Sequence, residues 1–271
     1  MNTKMGQSIT YHDIMDPNRA KALHATLALS TAVPKTGSVL KPFWHQVYFW
    51  DVQPPEELGR DGHSKLGNFI PDLGLPRRMW AGGEVQFLNE IILGVSAKKI
   101  STIENIEKKS GKTGPLAFVT EKIDIIQKNK LCVREYKKLV YRQEFKKGAN
   151  KKSAPIIRKI SDDEKRISFN TTHLHRYSSL TFNGHRIHYD RNYSQDIEGY
   201  PGLVVHGPLL AQYLIDFAED ALGSIKQFTF RSESPLFDFE EAILCRKKTN
   251  NGIELWVKNL NNKYCMSALA T

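Results

Sequence analysis

The sequence predicts an α+β protein made of two units in tandem, each a helix followed by antiparallel strands. Three observations carry this. First, apolar residues after Pro208 fall at Leu209, Leu210, Tyr213, Leu214, Phe217, Ala218, Ala221 and Leu222, the i, i+3, i+4, i+7 rhythm of a helix. Second, that helix is followed by four short β-rich runs, at 226–231, 240–248, 253–258 and 264–269, with hairpin signals at Asn250-Asn251-Gly252 and Asn261-Asn262. Third, the first half repeats the order with little sequence in common: a helix opened by Asp16-Pro17, then strand-like runs at 84–88, 98–107, 116–126 and 131–141.

Taken in order, Asp16 is a helix cap and Pro17 a first-turn proline, and Ala20, Leu23 and Leu27 supply a short apolar face. Residues 43–50, aromatic and β-rich, read as a strand. Residues 53–82 are punctuated by Pro54-Pro55, Gly62-His63 and Pro76 and read as a long ordered loop. The turn at 110–114 contains Gly111-Lys112-Thr113, the tail of a phosphate loop. A Walker motif needs glycine where Ile106 stands, so an ATPase reading fails. Residues 145–165 are basic, small and polar without periodicity, which makes them the expected linker between units at 1–150 and 151–271. Thr171-Thr172 opens a short helix that ends near Asn183. Pro208 then starts the apolar helix, in the position where a missing N–H costs nothing, and Gly223 ends it.

Composition narrows the function classes. Hydrophobic content of 40% with 25% charged residues is that of a folded globular protein, which excludes disorder. No run is long enough for a membrane span, and residues 1–10 lack the apolar core of a signal peptide. Cys132, Cys245 and Cys265 are odd in number and far apart, so a disulfide framework is not expected and a reducing cytosol is. The net charge of +10 raises nucleic-acid binding. Its main sources, Lys108, Lys109, Lys112 and the lysines and arginines of 146–159, accompany no helix-turn-helix, zinc-finger or RNP pattern. They read as solvated loops, a few of which could meet coenzyme A phosphates.

The stretch that carries chemistry is 182–210. His188 is a candidate base near neutral pH. Asn183 can orient a water by hydrogen bonding but cannot take a proton. The backbone N–H groups at the start of the apolar helix lack intrahelical partners and favour a negatively charged oxygen. Because Pro208 has no N–H, the Gly207 amide is the natural donor. Each feature alone has a plainer reading: a satisfied or surface histidine, and a buried helix with a tight entrance. His173, His175, His185 and His188 lie close in sequence, but without a nearby cysteine and with only Asp190 as a close carboxylate they make a poor zinc set. No Gly-x-Ser-x-Gly elbow occurs.

Together, Phe182-Asn183-Gly184-His185-Arg186-Ile187-His188-Tyr189-Asp190 and Glu198-Gly199-Tyr200-Pro201-Gly202 through His206-Gly207-Pro208 resemble the MaoC-like hot dog hydratases and dehydratases. The branch resembled most contains itaconyl-CoA and mesaconyl-C4-CoA hydratases and 3-hydroxyacyl-thioester dehydratases. Arg77-Arg78-Met79-Trp80-Ala81-Gly82-Gly83 adds to the likeness in the first half, where the glycines read as tight packing. The resemblance implies a double hot dog fold, two units each wrapping a sheet around a helix, with the active site in the second. It matches His188 to the catalytic histidine and Gly207 to the amide that polarises the thioester carbonyl. Asn183 departs from the aspartate usual at that place, so His188 would do the proton work nearly alone. His206 and Asp190 would support the site. Arg186, Arg191 and Arg78 are the cations that could meet a carboxylate on a dicarboxylic substrate.

The implied reaction adds water across the 2,3-double bond of a short enoyl-CoA. A 3-hydroxyacyl-thioester dehydratase is the alternative, and a thioesterase or a weakly catalytic thioester-binding protein remains open. Coenzyme A would enter as part of the substrate, with no metal and no other cofactor. The expected assembly is a homo-oligomer, a dimer, with no nucleic-acid or membrane partner.

Overall fold

A computed structural model of the chain describes residues 4–111, 114–144 and 154–271. They fall into two compact units. The first comprises Met1–Trp80, Val85–Glu144 and Arg176–Gly184, and the second Ala81–Glu84, Phe145–His175 and His185–Thr271. Neither unit is one continuous half of the chain: the short segment 81–84 groups with the second unit and 176–184 with the first. Residues 145–153 of the expected linker lie outside the described residues, as do Lys112 and Thr113 of the turn at 110–114.

The first unit starts with β1 (Ser8–Ile14) and α1 (Pro17–Thr26). Asp16 caps α1 as its sequence implies, accepting the Asn18 N–H at 2.9 Å. Then come β2 (Arg77–Phe87), β3 (Ser96–Gly111), β4 (Gly114–Gln127) and β5 (Lys130–Arg142). β1 pairs antiparallel with β3, β3 with β4 and β4 with β5. Along β4, Ala117, Val119, Glu121, Ile123, Ile125 and Gln127 are buried and their neighbours are not, the period of two of a half-buried strand.

The aromatic run at 43–50 is not a strand. Trp44–Val47 is a 3-10 turn flanked by Phe43 and Phe49 in left-handed conformations (φ 70° and 57°). The reason is visible in the burial: Phe43, Trp44, Val47, Tyr48 and Phe49 are all in the core. A pleated strand would send alternate members to the opposite face. Two ties hold the turn: Tyr48 Oη donates to the Asp16 carbonyl at 2.7 Å and the Phe49 N–H to Asp13 Oδ2 at 2.8 Å. The long loop expected over 53–82 is also shorter than its composition implies, because β2 begins at Arg77.

The second unit contains β6 (Asp163–Ser168), α3 (Gly207–Leu222), β7 (Gln227–Ser232), β8 (Glu241–Thr249), β9 (Gly252–Lys258) and β10 (Tyr264–Ala270). Its antiparallel strand order is β7-β10-β9-β8-β6. β6 claims residues 163–165 of the expected linker, pairing with Leu244, Cys245 and Arg246 of β8. α3 packs on β7, β8, β9 and β10, burying Leu209, Leu210, Tyr213, Leu214, Ile215 and Phe217. Each such large side chain taken out of water contributes about 1.5–3 kcal/mol, so this helix is the hub of the unit. Gly82 belongs here for a steric reason: with φ 149°, a Cβ on it would stand 2.4 Å from the Phe230 carbonyl oxygen. α2 (Thr171–Leu180) starts with Asn170 Oδ1 accepting the His173 N–H at 2.8 Å. No helix among the described residues is long and apolar enough to cross a membrane.

Candidate active site

His188 ends a single 3-10 turn, Arg186–His188, and is 7% exposed. Its Nδ1 lies 2.7 Å from the Val204 carbonyl oxygen. A carbonyl only accepts, so Nδ1 carries the proton and Nε2 is left as the basic nitrogen. The backbone closes the same loop, with the Val204 N–H donating to the Ile187 carbonyl at 3.0 Å. The tautomer is therefore set by local folding within 187–204.

His206 is fully buried and stacks on His188, with ring centroids 3.7 Å apart and planes 19° apart. Burial holds its imidazole well below the usual histidine range, and charge on His188 or His173 would lower it further. The shift favours the neutral form of His206. His206 is also the N-cap of α3, its carbonyl accepting the Leu210 N–H at 3.1 Å. Gly207 and Pro208 are thus the first residues of a 16-residue helix, with the Gly207 amide at its positive end.

The cations expected near a substrate carboxylate differ in their commitments. Arg186 makes a two-pronged pair with Asp190 Oδ2, from Nε at 3.0 Å and Nη2 at 2.7 Å, and lies over the Tyr193 ring. The Tyr193 N–H, then Arg186, hold the Asp190 carboxyl below the usual carboxylate range. Asp190 is thus a brace for 186–193. Arg191 pairs with Asp238, whose Oδ1 also accepts the Leu203 N–H at 3.0 Å. Arg78 is half-buried in the first unit, near Tyr141, Asp61 and His63.

Asn183 groups with the first unit and His188 with the second. The Asn183 N–H donates to the Ser178 carbonyl at 2.8 Å, closing the end of α2, and Phe182 before it is left-handed (φ 52°). A Cβ on Gly184 would lie 2.4 Å from the Gly62 carbonyl oxygen, so that position takes glycine only. One contributor escaped the sequence reading: the Val204 carbonyl, a backbone atom that no residue type announces.

The second unit therefore presents a base of fixed tautomer and a helix-terminal amide, the parts that enolate chemistry on a thioester requires. The chain belongs to the hydroxyacyl-thioester dehydratase type 2 family, whose pattern it matches over residues 43–238. It is 40% identical over 255 residues to the mesaconyl-C(4)-CoA hydratase of Chloroflexus aurantiacus, covering 92% of this chain and 90% of that one. Among solved structures it resembles HtdX of Mycobacterium tuberculosis (TM-score 0.70, 15% identity, 97% of this chain and 99% of that one). It also resembles a conserved hypothetical protein of M. tuberculosis described as a double hot dog (TM-score 0.60, 12% identity, 98% and 96% covered). At those identities the likeness speaks for the fold alone, and the fold is the double hot dog.

Proposed function

We propose that the protein is a hydro-lyase that reversibly hydrates a short, dicarboxylic enoyl-CoA, mesaconyl-C4-CoA or itaconyl-CoA. The observation that carries this is the 40% identity to a mesaconyl-C(4)-CoA hydratase along nearly the whole chain. The His188–Val204 geometry supports it, because a histidine held in one tautomer suits proton transfer. In this reading the thioester oxygen accepts the Gly207 amide, and the positive end of α3 stabilises the enolate that develops. His188 Nε2 takes a proton from water as the water oxygen bonds to C3. The π electrons move to the C2–carbonyl enolate, and C2 then recovers the proton from His188. Asn183 orients the water, and His206 keeps the His188 ring in place by stacking.

A free carboxylate on a short chain would cost several kcal/mol to bury unpaired. Arg186, Arg191 and Arg78 are the candidate partners for it; Arg186 and Arg191 also hold Asp190 and Asp238, and Arg78 hydrogen-bonds Tyr141. Coenzyme A is part of the substrate, and no other cofactor is called for. The same reading makes the enzyme a homodimer of a reducing cytosol, which suits three cysteines that are free and buried.

The test compares kcat/KM for mesaconyl-C4-CoA and itaconyl-CoA with that for crotonyl-CoA and octenoyl-CoA. A preference of at least ~10-fold, about 1.4 kcal/mol, for a dicarboxylic thioester supports the assignment. Preference for octenoyl-CoA overturns it in favour of a 3-hydroxyacyl-thioester dehydratase. Release of free thiol instead of loss of the conjugated enoyl absorbance identifies a thioesterase.

A further inference from the structure

The second unit carries an aromatic ring that its own core leaves in the open. Phe239 lies between β7 and β8 and is 62% exposed. It is nevertheless held in place. Its ring stacks on Phe237, with centroids 5.7 Å apart and planes 13° apart, and Phe237 in turn meets the Tyr200 ring at 6.0 Å. The edge of the Phe239 ring rests on Gly202, where a Cβ would stand 2.8 Å from Phe239 Cε1 and 2.8 Å from Asp238 Oδ1. The backbone beneath is tied on both sides of Phe237. The Val205 N–H donates to the Leu236 carbonyl at 2.9 Å, and the Asp238 N–H donates to the Leu203 carbonyl at 2.9 Å. One face of Phe239 is thus covered by Phe237 and the other faces solvent. A ring preset in this way loses little rotamer freedom when a ligand lies on it.

Position ties this ring to the chemistry within the same unit. The segment it packs on, 202–205, contains the Val204 carbonyl that holds His188 Nδ1, and it runs directly into His206 and Gly207 at the start of α3. From Gly202 to Gly207 the chain spans at most ~18 Å even if fully extended, a reach that the pantetheine arm of coenzyme A can bridge between its thioester and its nucleotide. Adenine is the one flat aromatic group of an acyl-CoA, and so the part that gains by lying on an aromatic face. The charges around the ring are already matched. Arg191 holds Asp238, and Lys263 holds Glu240 at 2.6 Å while lying 4.8 Å over the Phe237 ring. Such a surround suits an uncharged base better than a phosphate. It also suits a second copy of the chain poorly, because the core of a protein interface is depleted in charged residues and Phe239 stands between Asp238 and Glu240.

We infer that the open face of Phe239 is the adenine-binding platform of the substrate site, on which the purine of the CoA thioester stacks. This rests on the hydratase reading for the identity of the carrier, and the experiment separates the two. In the full-length enzyme, Phe239→Ala should raise Kd for free coenzyme A, measured by calorimetry, roughly 10-fold. It should lower kcat/KM for mesaconyl-C4-CoA by the same factor relative to that for the mesaconyl thioester of N-acetylcysteamine, which has no nucleotide. Phe239→Leu keeps the packing on Phe237 and Gly202 but not the aromatic face, so it should show the same loss. Phe239→Trp should bind coenzyme A at least as tightly as wild type. An unchanged Kd for coenzyme A in both Phe239→Ala and Phe239→Leu overturns the inference, as does an equal loss of kcat/KM for the two thioesters. A change of oligomeric state in sedimentation with Kd unchanged gives the ring to a second copy instead. If the wild type binds coenzyme A but hydrates none of the enoyl thioesters, the hydratase reading fails and the Kd values alone decide the platform. If it does not bind coenzyme A, both fail.

Discussion

Replacing His188 tests the centre of the site, and two substitutions separate its chemistry from its fold. The imidazole does two things: Nδ1–H satisfies the buried Val204 carbonyl at 2.7 Å, and Nε2 is the proposed base. His188→Ala removes both. An unsatisfied buried acceptor costs about 1–3 kcal/mol, and the space left by the ring beside His206 adds a cavity penalty. His188→Asn has an amide N–H where Nδ1–H was, so it should keep the Val204 bond and lose less than ~1 kcal/mol. The rate effects should be alike. General acid–base catalysis contributes on the order of 10²–10⁴-fold, and because Asn183 cannot accept a proton the upper end applies, ~5 kcal/mol of barrier. Hydration followed as loss of the conjugated enoyl ultraviolet absorbance gives the rate, and urea denaturation gives the stability. A His188→Asn enzyme that folds normally and retains a third of wild-type turnover would refute the assignment of the base.

Two further outcomes are expected. Gly82→Ala should destabilise the protein by more than ~3 kcal/mol, because a Cβ 2.4 Å from the Phe230 carbonyl forces backbone to move and φ 149° is strained for alanine; a urea midpoint equal to wild type would show that β2 is placed otherwise. His206 should make stability fall in mild acid. Its folded pKa is below the unfolded value of 6.5, so the unfolded chain binds the proton more tightly, and the contribution present above that pH is lost as pH drops, at ~1.4 kcal/mol per pH unit. Thermal midpoints from pH 7.5 to 5 should decline less steeply in His206→Gln, and parallel curves would remove His206 from the account.

Arg186 and Arg191 brace the loops that lead to and from His188, through Asp190 and Asp238.

How far the sequence determines this protein depends on the range of the forces involved. Local signals were sufficient for α1 and α3, because Asp16, Pro17, Pro208 and Gly223 act on their own helix ends and the 3.6-residue rhythm needs no partner. The four hairpin strands after α3 were legible for the same reason, with turns such as Asn250-Asn251-Gly252 setting their limits. Asn183 and His188 stood out in the sequence through their spacing and its resemblance to a family, and their joint role belongs to the proposed reading. Only the tertiary structure decided that the aromatic run at 43–50 folds as a 3-10 turn, since burial of nearly every member outweighs the β propensity of each. It decided which nitrogen of His188 is basic, because the Val204 carbonyl arrives from sixteen residues away. It also put the Gly62 backbone against Gly184. Contacts between residues so distant in sequence leave no periodicity to read; they arise from how strands and loops pack, and here packing selected the chemistry.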